Sequence, residues 1–261
     1  MNLDDVTISQ AILDAYVAKF RRALVSDVVI VGAGPSGLTA ARLLAGAGAA
    51  VTIVEKKLAP GGGIWGGGMA MNEVIVQPDA AALVEAVGVR AKPADGGNAV
   101  VDAVELAAAL TLEALRAGAT IFNLVSMEDV RVQGGRVTCI VVNATAITTL
   151  NLHVDPLTLG ARAVIDGTGH DAAVAAALEK HRIALDTDAG TILGEGPMDA
   201  DTAEAFVVDH TGAVYPGLYL AGMAVCAANG GPRMGPIFGG MLLSGERVAA
   251  QVAEDLGLAL P

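Results

Sequence analysis

Gly32, Gly34 and Gly37, in the run Asp27-Val-Val-Ile-Val-Gly-Ala-Gly-Pro-Ser-Gly37, have the spacing that grips a dinucleotide by its pyrophosphate. Gly32 permits a tight turn out of a strand. Gly34 admits phosphate oxygens with no Cβ in the way, and Gly37 lets the next helix pack close. Pro35 and Ser36 open that helix, whose free N–H groups and partial positive charge suit an anion. Glycines also collect in ordinary turns, so the context matters. Val28–Val31 reads as an apolar strand, Leu38–Leu44 has helical spacing, and Val51-Thr-Ile-Val54 is a second buried strand delivering Glu55. A carboxylate there accepts both ribose hydroxyls of an adenosine and repels a 2′-phosphate. It therefore favours NAD over NADP, although Lys56 and Lys57 follow directly.

Three further places hold groups suited to bond-making. Asn151-Leu-His-Val-Asp-Pro156 puts His153 and Asp155 on one side of an extended chain. His170 follows an apolar strand in Asp166-Gly-Thr-Gly-His-Asp171. Imidazole with carboxylate suits Fe2+, Mn2+ or Zn2+, while a histidine after a strand serves equally well as a hydrogen-bonded structural residue. Arg233, in Asn229-Gly-Gly-Pro-Arg-Met-Gly-Pro236, is either a clamp for a carboxylate, worth about 1.5–3 kcal/mol net, or a surface arginine in a loop.

These groups need a scaffold. Ile8, Ile12, Tyr16 and Phe20 fall four apart, predicting an amphipathic helix over about 7–22 with Arg21 and Arg22 at its C-terminal end. Pro60–Met69 is a glycine-rich loop around the only tryptophan, Trp65, which reads as a shaped loop against a ligand. Asp102-Ala-Val-Glu105 is a capping box opening a helix to about Ala117, and Thr120–Leu124 reads as a third parallel strand. Met127–Val132 and Val137–Val142 flank Gln133-Gly-Gly-Arg136 as a β-hairpin. A strand at Ala161–Asp166, a helix at Ala172–Lys180, a short strand in Gly217–Gly222 and a last helix to about Leu256 follow. The expectation is an α/β fold of a single dinucleotide-binding domain over 1–261. It has a parallel central sheet, helices on both faces and an inserted β layer at about 125–160.

The hydrophobic fraction is 53%, rich in Ala and Gly, which suits close packing and burial in a homo-oligomer. No run of about eighteen apolar residues escapes charge or glycine, so no membrane span is expected. The opening Met-Asn-Leu-Asp-Asp lacks the basic and apolar regions of a signal peptide. The net charge of −12 disfavours nucleic acid and anionic membranes. Cys139 and Cys226 lie outside any CxxC, which predicts a reduced, cytoplasmic protein.

The order of parts resembles the two-dinucleotide-binding-domain flavoproteins, the glutathione-reductase type. Val164-Ile-Asp-Gly-Thr-Gly169 matches their middle strand. Their C-terminal Gly-Leu-Tyr-Ala-Ala-Gly-Asp ends in an acid that holds the flavin, but here the segment reads Gly217-Leu-Tyr-Leu-Ala-Gly-Met223. Methionine cannot make that contact, and a second GxGxxG and a redox CxxC are missing. An FAD-dependent oxidoreductase of this fold is therefore the alternative reading, with a non-catalytic NAD sensor as a third.

The chain also resembles the thiamine thiazole synthase family over essentially its whole length. The resemblance is carried by Gly32–Gly37, Glu55-Lys56, Pro60–Met69, His153-Val-Asp-Pro156, Asp166–Asp171 and Arg233-Met-Gly-Pro-Ile-Phe-Gly-Gly-Met-Leu-Leu-Ser244. It implies that NAD is a consumed substrate. Nicotinamide leaves, the ADP-ribose opens, glycine condenses with it, sulfur enters, and cyclisation gives an adenylated thiazole carboxylate. The eukaryotic type gives up the sulfur of a cysteine where this chain has His153, so the similarity is to the prokaryotic branch that uses free sulfide. It further implies Fe2+ on Asp155 and His170, with Asp155 supplied by a neighbouring subunit of an octamer. Ser36, Glu55, Lys56, Gly63, Met127, His153, Val154, Asp155 and Met223 would line the nucleotide, and Arg233 would hold the glycine carboxylate. His153, Asp155 and His170 are the expected catalytic set.

Overall fold

The computed structural model describes residues 4–261. The opening residues 1–3, part of the signal-peptide reading, lie outside the described residues.

The parallel core of the main sheet is built as the sequence predicts. Strand Val25–Val31 leads through helix Pro35–Gly46 to strand Val51–Glu55, which pairs with it in parallel register, Val28 against Val51 and Val31 against Val54. Thr120–Asn123 adds outside Val51–Glu55. The chain then returns to the other side of the first strand as Leu157–Asp166, with Val31 opposite Asp166. Leu218–Leu220 and Gly212–Tyr215 complete that edge. The strand order thus reverses between Val25–Val31 and Leu157–Asp166. In open α/β sheets the crevice beyond the carboxyl ends at such a reversal is where ligands bind.

Buried side chains explain the layer order. Val28, Val29, Ile30, Ile53, Val164 and Ile165 are sealed from solvent on both sheet faces, as expected for parallel strands covered by helices. Helix Pro35–Gly46 packs against helices Ala103–Arg116 and Gly239–Leu256. Contact with the latter is close: a Cβ on Gly245 would lie 2.5 Å from the Ser36 carbonyl oxygen.

The hairpin is Val125–Gln133 with Arg136–Ala144. Its two-residue turn, Gly134-Gly135, has φ of 60° and 72°, the left-handed pair that matches strand twist. It is tied to the main sheet through the first half of the long strand, with Cys139 opposite Gly160 and Val142 opposite Leu157.

Two features depart from the sequence reading. Glu73–Val76, Ala91–Pro93 and Ala99–Asp102 form a separate antiparallel sheet. The first helix, Asp5–Ala23, forms with Asp4 accepting from the Thr7 N–H, but most of its apolar row is uncovered. Tyr16 and Phe20 meet Phe122, and Lys19 Nζ donates to the Ile121 carbonyl at 2.8 Å. Ile8 and Ile12 face solvent. Among the described residues no helix is long and apolar enough to cross a membrane.

One part-buried acid makes the stability pH-dependent. Glu204 accepts from the Gly240 N–H at 2.5 Å, at the start of helix Gly239–Leu256, and pairs with Gln77. Glu204 Oε1 and Gln77 Oε1 have no partner among the described residues. Burial pushes the Glu204 carboxyl up to about 7, opposed by the Gly240 hydrogen bond. The folded state therefore holds this proton more tightly than the unfolded chain does. Its stabilisation is complete below about 4.5 and is lost as pH rises through about 7. Glu204→Gln, which keeps a neutral side chain at every pH, should flatten that slope. Thermal melts of both proteins between pH 5 and 8 check this; parallel curves would exclude Glu204 as the source.

Candidate functional site

A cleft of about 1120 Å³ opens at the strand-order reversal. Its floor is the first glycine turn. Gly32 has φ +100°, and a Cβ there would lie 2.4 Å from the Gly167 carbonyl oxygen at the end of the neighbouring strand. Gly37 packs behind the turn, where a Cβ would lie 2.3 Å from the Gly32 carbonyl oxygen. Gly34 faces the cleft with no protein atom nearer than 3.9 Å to an added Cβ, which leaves room for phosphate oxygens. The glycines therefore divide the work: Gly32 and Gly37 serve backbone packing, and Gly34 serves access.

Glu55 ends its strand nearly buried. Its Oε2 accepts from the Ala33 N–H at 2.9 Å, and its Oε1 accepts from the Lys57 N–H at 2.8 Å. The carboxylate thus braces the glycine turn. Each oxygen retains a lone pair for a further donor. Lys56 Nζ meets Asp171 Oδ2 at 2.7 Å across the cleft mouth, an exposed pair of small energetic weight.

The glycine-rich loop is shaped. The Gly61 N–H donates to the Ala33 carbonyl at 2.7 Å, and Trp65 Nε1 donates to the Pro60 carbonyl at 2.6 Å. Ile64 is buried, and Gly62, Gly63, Gly67, Gly68 and Met69 form one cleft wall.

His170 comes from a turn held by a buried acid. Asp166 accepts from Thr168 N and Oγ1 at 3.0 and 2.6 Å, and from Val174 and Ala175 N–H at 2.9 and 3.1 Å. Burial raises this carboxyl above its ordinary value, and the four hydrogen bonds oppose the rise. The turn carries His170 into the cleft, where its Nδ1 lies 2.6 Å from Glu195 Oε1.

Arg233 also lines the cleft, on the two-residue strand Pro232–Arg233, which pairs with Gly196–Met198. None of the ion pairs within the described residues involves it. Its guanidinium is thus available to a carboxylate in the cleft.

Gly32, Gly34, Ser36, Glu55, Lys56, Gly63, Met127, His170, Met223 and Arg233 all line this one cleft. His153, Val154 and Asp155 do not. They form an exposed stretch between helix Thr145–Thr149 and strand Leu157–Asp166. Sequence reasoning missed Thr145, Thr148 and Thr149 on the wall, and it missed Glu195. Thr145 Oγ1 donates to the Lys56 carbonyl at 2.9 Å, linking that wall to the end of strand Val51–Glu55.

Residues 9–238 match the Thi4 family. The chain belongs to the Thi4 family. It is 50% identical to the thiamine thiazole synthase of Thermotoga maritima over 98% of this chain and 100% of that protein. It is 48% identical to the thiamine thiazole synthase of Methanothermobacter thermautotrophicus, with the same coverage. Among solved structures, Thermovibrio ammonificans THI4 superposes with a TM-score of 0.96 at 42% identity, covering 98% of this chain and 100% of that one. The fold of this Thi4 chain is accordingly the Rossmann-like, glutathione-reductase-type fold read from the sequence.

The cleft can be tested against an iron site. Among the described residues no three His, Cys, Asp or Glu side chains cluster to hold a metal ion. His170 offers one nitrogen in the cleft with its other nitrogen already engaged, the usual arrangement of a ligating histidine. The fit is that of an incomplete site, needing further donors from substrate or from a second chain. Asp155 is exposed and lies outside this cleft.

Proposed function

We propose that this protein is a sulfide-dependent thiazole synthase that consumes NAD. Membership of the Thi4 family gives it a role in thiamine thiazole biosynthesis. The finer reading is that NAD loses nicotinamide and the opened ADP-ribose condenses with glycine. Free sulfide then enters, and cyclisation with loss of water yields the ADP-thiazole carboxylate.

The observation that carries the sulfide reading is the state of the two thiols. Cys139 is buried in the hairpin and Cys226 is wholly buried in helix Met223–Asn229. Burial pushes the Cys226 thiol up to about 12, helped by the negative charge of Glu195 and Glu204. Neither cysteine lines the cleft, which supports a sulfur source outside the chain.

The chain's own residues divide the remaining work. Gly34 and Ser36 admit the pyrophosphate, Glu55 receives the adenosine ribose, and the threonine wall with Met127 and Met223 closes round the nucleotide. Arg233 orients glycine through its carboxylate. His153 positions nucleotide or intermediate in a neighbouring cleft, beside Asp155. Ferrous ion, held by His170 and that Asp155, would supply Lewis acidity and a template for the condensing groups. The exposed apolar row of helix Asp5–Ala23 and the exposed segment carrying Asp155 support a homo-oligomer, an octamer by family resemblance.

Anaerobic incubation with NAD, glycine, Fe2+ and sulfide tests the reading. Nicotinamide release together with an ADP-thiazole carboxylate by mass spectrometry is the expected result. Intact NAD would favour a sensor, and a visible flavin band in the purified protein would favour the oxidoreductase.

Arg233→Ala should raise the KM for glycine about 10-fold or more, the loss of one charge-assisted contact, with little change in NAD affinity. Steady-state titration of each substrate reads the two effects separately. Equal loss of both would remove the clamp assignment.

A further inference from the structure

We propose that Glu195 is the positioning residue for His170: it holds the ring proton on Nδ1 and presents an unprotonated Nε2 to the cleft. The metal-binding consequence rests on the iron reading above; the orientation of the ring does not.

Glu195 Oε1 lies 2.6 Å from His170 Nδ1, short enough for a charge-assisted hydrogen bond. In a neutral imidazole one nitrogen donates and the other accepts. A carboxylate only accepts, so its partner nitrogen must carry the hydrogen. Nε2 has no hydrogen-bond partner among the described residues, while the side chain lines the cleft.

The acid is itself fixed, which separates it from a passing surface contact. Its side chain is only 16% exposed, against 54% for His170. The backbone on either side is tied down: the Gly194 N–H donates to the Ala227 carbonyl at 2.9 Å, and the Gly196 N–H donates to the Gly231 carbonyl at 2.8 Å. The next strand residues, Gly196–Met198, pair with Pro232–Arg233. The same short segment therefore sets both the imidazole and the proposed carboxylate clamp.

Glu195→Ala and the isosteric Glu195→Gln test this in the full-length protein. Magic-angle-spinning 15N spectra of metal-free, 15N-histidine-labelled protein read the tautomer, with the His170 signal identified by its loss in His170→Asn. Wild type should show a protonated Nδ1 and a bare Nε2, and Glu195→Ala should show a mixture of both tautomers. Co2+ affinity, read from its visible absorption, should fall about 10- to 100-fold in Glu195→Ala and about 10-fold in Glu195→Gln. A wild-type ring protonated on Nε2, or an unchanged tautomer in Glu195→Ala, overturns the proposal. So does Co2+ affinity within twofold of wild type in both variants. If wild type binds no Co2+ while the tautomer responds to Glu195→Ala, the iron reading fails and the positioning role stands.

Discussion

His170→Ala and Asp155→Ala should each abolish iron-dependent thiazole formation while leaving NAD bound. Loss of an outer partner of a metal ligand costs about 10- to 100-fold, so loss of a ligand itself should exceed about 100-fold. Neither change should disturb the fold. The His170 turn is held by Asp166 through Thr168, Val174 and Ala175, not by the imidazole, and Asp155 is exposed. Calorimetric NAD binding with single-turnover product analysis checks both halves. Because Asp155 lies outside its own cleft, the two dead variants should complement one another. Co-expression produces mixed oligomers in which some clefts receive His170 from one subunit and Asp155 from another. Activity in the mixture, absent from either parent, is the expected outcome. A mixture as inactive as its parents would place Asp155 outside the metal site.

Gly32→Ala and Gly34→Ala should fail for different reasons. Alanine at 32 must adopt φ near +100° and place its methyl 2.4 Å from the Gly167 carbonyl, so two adjacent strand ends have to separate. A loss of at least about 2 kcal/mol is expected, seen as a lower melting temperature with or without NAD. Alanine at 34 has an ordinary φ of −77° and no protein atom nearer than 3.9 Å. Its melting temperature should match wild type, while the stabilisation conferred by NAD disappears. Equal melting temperatures for the two free proteins would mean that the strand ends yield more easily than the packing indicates.

The parts of this fold that were legible in the sequence are those where local chemistry and tertiary structure agree. The Asp102 cap accepts from the Glu105 N–H at 2.9 Å, and the Gly134-Gly135 turn has the dihedrals its composition demands. The small sheet at Glu73–Val76, Ala91–Pro93 and Ala99–Asp102 was not legible. Strands of three and four residues are too short to show a period of two. Helix Asp5–Ala23 was read correctly as a helix, yet periodicity says only that one face is apolar, not what covers it. In the cleft, the glycines and Glu55 announced themselves through a fixed local spacing. Glu195 lies 25 residues from His170 in a loop of irregular structure, and no spacing rule links such a pair. His153 and Asp155 stood out as a pair two residues apart, but Val154 and any shared role came only from family resemblance, since one folded chain does not bring the three to its own cleft.

The sealed cysteines have a consequence for the working life of the protein. Sulfide that meets traces of oxygen forms polysulfides, which convert accessible thiolates to persulfides. Cys139 is buried in a hairpin strand, and Cys226 is buried with its thiol pushed up to about 12. On the sulfide reading proposed above, the protein offers such species no foothold, and should emerge from prolonged exposure with unchanged mass.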